Sequence, residues 1–250
     1  MPGKYTNVRP QMDERKLEEL AAAMKADGRN QLSVRKVKLG VKSLAFLEHF
    51  GHLRALFVEE VKAGLDALKF LENLENLDLI RMRQLKCAPL RGVPHLRELY
   101  IGFSSVSSFE GIESLSDLED LNLRSVSGLA GLEFVLQLTK LKELSIIDCK
   151  GMTSVPNLAN LGDLTEIRLQ GLGDLENIDG VFAAPRLKRL SLGPLANIEP
   201  EDLKPALEHP TLELIYPALV GIEGAAKDIR AAELLESRFG DVFDLDRWNA

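Results

Sequence analysis

The sequence predicts an α/β architecture: a curved, right-handed solenoid whose short parallel strands form a concave sheet, with a helical cap at each end. Three observations carry this. A hexamer of the pattern Leu-x-x-Leu-x-Leu returns eight times between residues 53 and 217, at intervals of 21 to 25 residues, far more regularly than chance allows. Each hexamer is followed by 15 to 19 residues, enough for a crossover to a parallel neighbour. Amphipathic segments flank the array on both sides, as open stack ends require.

Taken in order, residues 13–25 (DERKLEELAAAMK) place Leu17, Leu20, Ala21 and Met24 on one helical stripe, with an acidic start, a basic end and Gly28 as a stop. Residues 1–33 are therefore read as an N-terminal helical cap. A first candidate hexamer, VRKVKL, begins at Val34. LRALFV, LENLDL, LRELYI, LEDLNL, LKELSI, LTEIRL, LKRLSL and the degraded LELIYP follow from Leu53, Leu74, Leu96, Leu118, Leu141, Leu164, Leu187 and Leu212.

The array thus covers residues 34–217. Within LKELSI, alternation sends Leu144 and Ile146 inward and Ser145 outward, and right-handed crossovers are expected. The return segments carry apolar residues three apart, such as Met152, Val155, Leu158 and Leu161, or Leu172, Leu175, Ile178 and Val181, which favours 3₁₀ turns. Pro156, Pro185, Gly162 and Gly180 break longer helices. Longer helical pieces are expected at LAFLEHF around Phe46, at GLDALKFLENL, and at residues 200–209. Residues 218–250 form the C-terminal cap, with Ile229, Ala232, Leu235 and Phe239 on one stripe before Gly240. Val242, Phe243, Leu245 and Trp248 of the tail cover the last repeat, the alternative being a docking peptide. Because each repeat buries its edge only against neighbours, the array is read as one elongated domain.

The hexamers resemble the leucine-rich-repeat family, of the short-repeat bacterial type, over residues 34–217. In that family the residue that follows the hexamer after two intervening positions is Asn or Cys, satisfying backbone groups in the turn. Only Cys149 matches here. The equivalent positions hold Met82, Ser104, Val126, Leu172 and Leu195, so irregular loops after the strands are expected. The resemblance implies a curved solenoid that binds other macromolecules, most often proteins.

A 250-residue chain with 45% hydrophobic content supports a core without disulfides or metals. With 31 Lys+Arg against 38 Asp+Glu, the charge of −7 disfavours a general nucleic-acid binder. Two cysteines, Cys87 and Cys149, lie three repeats apart, out of disulfide reach, and are read as buried thiols. Residues 1–16 hold no apolar stretch suited to a signal, and no run is long enough to span a membrane. A cytoplasmic monomer that does not engage membranes is expected.

No catalytic constellation is evident, and no enzyme activity, cofactor or metal is expected. His49 and His52 in EHFGH are three apart rather than in the zinc-protease arrangement. No nucleophile elbow or phosphate loop occurs, and Gly171 and Gly173 lack the third glycine of a dinucleotide fingerprint. Cys149, between Asp148 and Lys150, is read as a structural thiol.

Alignment of the repeats puts equal positions in rows. The third hexamer position reads Lys36, Ala55, Asn76, Glu98, Asp120, Glu143, Glu166, Arg189 and Leu214. The fifth reads Lys38, Phe57, Asp78, Tyr100, Asn122, Ser145, Arg168, Ser191 and Tyr216. Adjacent like charges destabilise a sheet, so the row Glu98, Asp120, Glu143, Glu166 suggests a use. Phe57, Tyr100 and, beyond the strand, Phe103 are anchor-type aromatics. The candidate partner-binding residues are accordingly Phe57, Asn76, Asp78, Glu98, Tyr100, Phe103, Asp120, Asn122, Glu143, Ser145, Glu166 and Arg168. A solvated face in which Arg97, Lys142 and Arg168 neutralise the acids is the competing expectation. The function expected is non-catalytic binding of a protein with a basic patch, an inhibitor or immunity-type protein being one version. The alternative is a scaffold or targeting subunit that uses its caps or tail.

Overall fold

A computed structural model of the chain describes residues 5–8, 12–35, 44–61, 63–220 and 225–243. The chain divides into two compact units, residues 1–119 and residues 120–250.

The first unit opens with a two-residue strand β1 (Thr6–Asn7) and helix α1 (Glu14–Ala26). Asp13 caps α1 by accepting the Lys16 N–H at 3.0 Å. Leu17, Ala21 and Met24 are buried, Leu20 is half-buried at the margin of that stripe, and Gly28 adopts a left-handed conformation after the helix. Strands β2 (Gln31–Arg35), β3 (Ala55–Glu59) and β4 (Asn76–Ile80) follow. After the short β5 (Leu85–Lys86) come β6 (Glu98–Gly102) and β7 (Val106–Ser108). β1-β2-β3-β4-β6 form a parallel sheet, and β5 pairs separately with β7.

The first strand in register differs from the expectation. Gln31 and Ser33 stand opposite Ala55 and Phe57, so the strand begins three residues before the hexamer at Val34. Lys36 and Lys38 lie outside the described residues. The reason is packing: Leu32 and Val34 are the buried alternating pair, and α1 delivers the chain directly into them. The strand β1, which carries no repeat signal, pairs with β2 on its outer side.

The second unit contains β8 (Asp120–Arg124), β9 (Glu143–Ile147), β10 (Glu166–Gln170), β11 (Arg189–Leu192) and β12 (Leu214–Pro217), parallel neighbours in that order. Helices α2 (Lys204–Glu208) and α3 (Ala226–Phe239) complete it. The inward pair alternates as the pattern requires: Leu144 and Ile146 are buried, Ser145 half-buried.

The return segments are short. Ala45–Phe50, Leu65–Phe70, Ala88–Gly92, Ile112–Ser114, Glu133–Gln137 and Asp179–Ala183 are single 3₁₀ pieces. Longer helices at LAFLEHF and GLDALKFLENL do not form. The coil holding GLDALKFLENL is only 21 residues long, from Ala55 to its registered partner Asn76, which leaves little chain for α-helical turns, and Gly64 enters that segment at φ 97°. Residues 200–209 do contain a 3₁₀ turn, Pro200–Leu203, running into α2. Each coil closes alike: the N–H of Leu53, Leu74, Leu96, Leu141 and Leu164 meets the carbonyl three residues earlier at 2.9 to 3.2 Å.

The turns after β3, β4, β6, β8, β9 and β10 are regular, contrary to expectation. Glu60, Arg81, Phe103, Ser125, Asp148 and Gly171, each seven residues after the first leucine of its hexamer, all have φ between 51° and 63°. Main-chain bonds do what the missing Asn would do. Glu60 N–H donates to Ile80 O at 2.9 Å, Arg81 to Gly102 at 2.9 Å, Ser125 to Ile147 at 2.8 Å and Asp148 to Gln170 at 2.8 Å. Ser104 and Cys149 line the inside of the turn. The Ser104 hydroxyl accepts Met82 N–H at 2.9 Å and donates to Gly102 O at 2.7 Å. The Cys149 thiol donates to Ile147 O at 3.4 Å.

α3 buries Asp228, Ala231, Leu235 and Phe239 rather than the expected stripe through Ile229 and Ala232; Ile229 is exposed and Ala232 half-buried. Asp228 decides the rotation, because its carboxylate accepts Val220 N–H at 2.8 Å from the last coil. From the same helix, Arg238 donates to Ala206 O at 2.7 Å, to Leu212 O at 3.1 Å and to His209 O. Val242 is buried and the Phe243 ring meets Tyr216 edge-on at 5.6 Å, so the start of the tail covers the last strand. Leu245 and Trp248 lie outside the described residues.

Candidate functional site

Residues of the third and fifth hexamer positions point away from the core, because the alternation that buries Leu77 and Leu79 turns Asn76 and Asp78 outward. In the first unit the aligned rows are Gln31, Ala55, Asn76, Glu98 and Ser33, Phe57, Asp78, Tyr100. In the second they are Asp120, Glu143, Glu166, Arg189, Leu214 and Asn122, Ser145, Arg168, Ser191, Tyr216.

The carboxylates are not equivalent. Glu166 is held by two arginines, Arg168 at 3.4 Å and Arg189 at 3.7 Å. Glu143, directly opposite both Asp120 and Glu166, is exposed. Glu98 is exposed as well. Arg97 does not serve the third-position row. It donates from Nε to Glu119 at 3.1 Å, within a second-position series that also pairs Arg54 with Glu75 and Lys188 with Glu213. Burial pushes the Asp78 carboxyl up from the usual carboxylate range, and the neighbouring Glu98 carboxylate pushes it further.

The aromatics divide likewise. Phe57 is half-buried because Tyr5, ahead of β1, lies 6.2 Å from its ring, and the Arg35 guanidinium sits 4.6 Å over it. The Tyr100 ring lies along its own strand over Gly102, where a Cβ would come within 2.6 Å of it. Phe103 remains open at 54% exposure, held in the left-handed turn. Asn122 and Ser145 are half-buried neighbours. Sequence reasoning missed Tyr5, Asn30, Gln31 and Arg54, which with Ala55, Glu75 and Asn76 line a cleft of about 400 Å³ in the first unit. Tyr5, Asn30 and Gln31 belong to segments outside the hexamer pattern, which therefore could not find them.

Both cysteines are buried and free. Burial pushes the Cys87 thiol up to about 12 and also raises that of Cys149, so neither has thiolate character at neutral pH. His49 is half-buried, and Glu14, Glu48 and His49 bring three ligand atoms within 4.8 Å of one another. Among the described residues no helix is long and apolar enough to cross a membrane.

No family model and no curated protein matches the chain. Solved structures do. The leucine-rich-repeat domain of the type III effector XopL superposes with a TM-score of 0.58 at 23% identity, over 86% of this chain and 79% of that one. An internalin, inlF, from Listeria monocytogenes gives 0.56 at 20% identity, over 78% of this chain. The chain has the leucine-rich-repeat fold. It spans 56% of the inlF structure. The mouse RP105/MD-1 complex contains a further match, at TM-score 0.56 and 18% identity, covering 87% of this chain and 43% of that one. In leucine-rich-repeat terms, the rows above are the outward positions of the strands, and Ser104 and Cys149 occupy the position of the family's turn residue.

Proposed function

We propose that the chain is a non-catalytic protein-binding module whose outward strand residues receive a partner bearing a basic patch. One observation carries this: Asp120, Glu143 and Glu166 are placed directly opposite one another, an arrangement that costs a few tenths of a kcal/mol for each exposed like-charged pair. Glu166 is matched by two arginines, Arg168 and Arg189. The matching fold of RP105, solved in complex with MD-1, supports a binding role. Two free, buried thiols suit a reducing compartment. A stoichiometric inhibitor or immunity-type protein, neutralising a basic toxin or nuclease, is the specific form of this reading.

The test uses two baits, the wild-type chain and a Glu98→Lys/Glu143→Lys variant, in lysate of the source organism. A protein retained by the first, released by salt and absent from the second is the expected result. Identical retention by both baits removes the acidic face from consideration. A toxin gene adjacent to this one would support the immunity-type form.

A further inference from the structure

The first unit carries an arrangement that an acidic row does not explain. Phe57, Asp78 and Tyr100 stand opposite one another on β3, β4 and β6, so a carboxylate is set between two aromatic side chains. Tyr5 adds a third ring beside Phe57. Glu98 lies diagonally from Asp78, opposite Asn76. Asp78 is half-buried and has no hydrogen bond or ion pair with another described residue. The Tyr5 hydroxyl is pushed up by burial and then by Asp78 and Glu98, which places all three groups within electrostatic reach of one another.

Nothing in the coil requires this anion. The same outward position holds the uncharged Ser33, Phe57 and Tyr100 on the neighbouring strands, and Arg35, the cation stacked over Phe57, bonds Ser33 and forms no ion pair with Asp78. A half-buried carboxylate left in this state weakens the fold. A cation supplied from outside would offset the cost.

The form of the cation follows from the geometry. A guanidinium can stack on a ring and, in its own plane, donate to two carboxylates, whereas an ammonium is a compact point charge without that plane. The chain already shows the first half of this pairing: Arg35 stacks over Phe57 while its Nε donates to Ser33 Oγ at 3.1 Å. Beside the acids, the cleft of about 400 Å³ is lined by Tyr5 and the amides of Asn30, Gln31 and Asn76, groups able to pair with peptide N–H and C=O.

We propose that the partner inserts one arginine side chain onto Asp78 and Glu98, beside Tyr5 and Tyr100, with the flanking peptide lying in the cleft of Asn30, Gln31 and Asn76. This rests on the reading of the strand residues as a protein-binding face and names the anchor within it.

The experiment is an NMR titration of the full chain with an end-capped Gly-Arg-Gly peptide and with its citrulline counterpart, which keeps the shape and removes the charge. Saturable shifts at the amides of Phe57, Asp78 and Tyr100 are expected with arginine, with binding about tenfold weaker for citrulline. Asp78→Asn should abolish the saturable response while raising the melting temperature, since it removes an uncompensated charge. Equal responses to the two peptides, no saturable shift with arginine, or a lower melting temperature for Asp78→Asn would overturn the anchor. If the peptide fails while the Glu98→Lys/Glu143→Lys bait still loses its protein, the anchor is wrong and the binding face stands. If that bait retains everything, the wider reading falls independently.

Discussion

Ser104 shows how much one side chain does in a turn. Its hydroxyl satisfies a neighbouring coil's amide, Met82 N–H, and Gly102 O of its own coil, and it is buried. Ser104→Ala should cost about 1–3 kcal/mol, because the Met82 donor is left unpaired without water; thermal unfolding checks it. His209 makes a pH-dependent contribution. Its Nε2 donates to Ala184 O at 3.0 Å and its Nδ1 accepts Thr211 N–H at 3.4 Å, so the folded state uses the neutral ring. Burial lowers its pKa below 6.5, with Arg238 adding to the effect. The unfolded chain therefore binds the proton first. Stability should be full above pH 6.5 and decline as pH falls from there towards the lower folded value. Comparing urea midpoints of wild type and His209→Gln across that range tests this: the variant should lose part of the decline.

At the scale of elements, α3 is fixed to the last coil by its charged groups as much as by its apolar ones. Arg238 reaches the carbonyls of Ala206, His209 and Leu212, all near the end of the array. Arg238→Ala should destabilise the second unit by about 2 kcal/mol, with hydrogen exchange rising first at β12 and α3. These features also mark where sequence reading succeeds and fails. The hexamers located the strands because a buried Leu at fixed spacing is a local signal. The helix α1 was legible because Asp13, the apolar stripe and Gly28 are each short-range cues. The orientation of α3 was not legible, since Asp228 turns inward for an amide at Val220, a partner outside the helix. The first strand was misplaced for a similar reason: VRKVKL fits the pattern, yet Leu32 and Val34 are the residues that meet Leu56 and Val58 in register. For the candidate site, the rows themselves could be read from alignment. Which acids are matched by arginines could not, because that depends on where side chains such as Arg97 and Arg189 reach.

For the molecule as a whole, the two thiols act as separate gauges, Cys87 in the first unit and Cys149 in the second. Both should react slowly with a thiol reagent in the native state, at rates set by opening of the surrounding coils. Leu77→Ala, a fully buried truncation costing about 2–5 kcal/mol, should accelerate labelling at Cys87. Fast native labelling of either thiol would contradict its burial.

The turn residues have a consequence of another kind. Glu60, Arg81, Phe103, Ser125 and Asp148 share a φ of 51° to 57° although their side chains are acidic, basic, aromatic and neutral. For Glu60, Arg81, Ser125 and Asp148, the bond that shapes the turn uses only the peptide N–H. The margin of each sheet is thus a line of letters that can be rewritten coil by coil, among residues other than proline and the β-branched ones, which a positive φ strains, while the leucines beneath stay undisturbed.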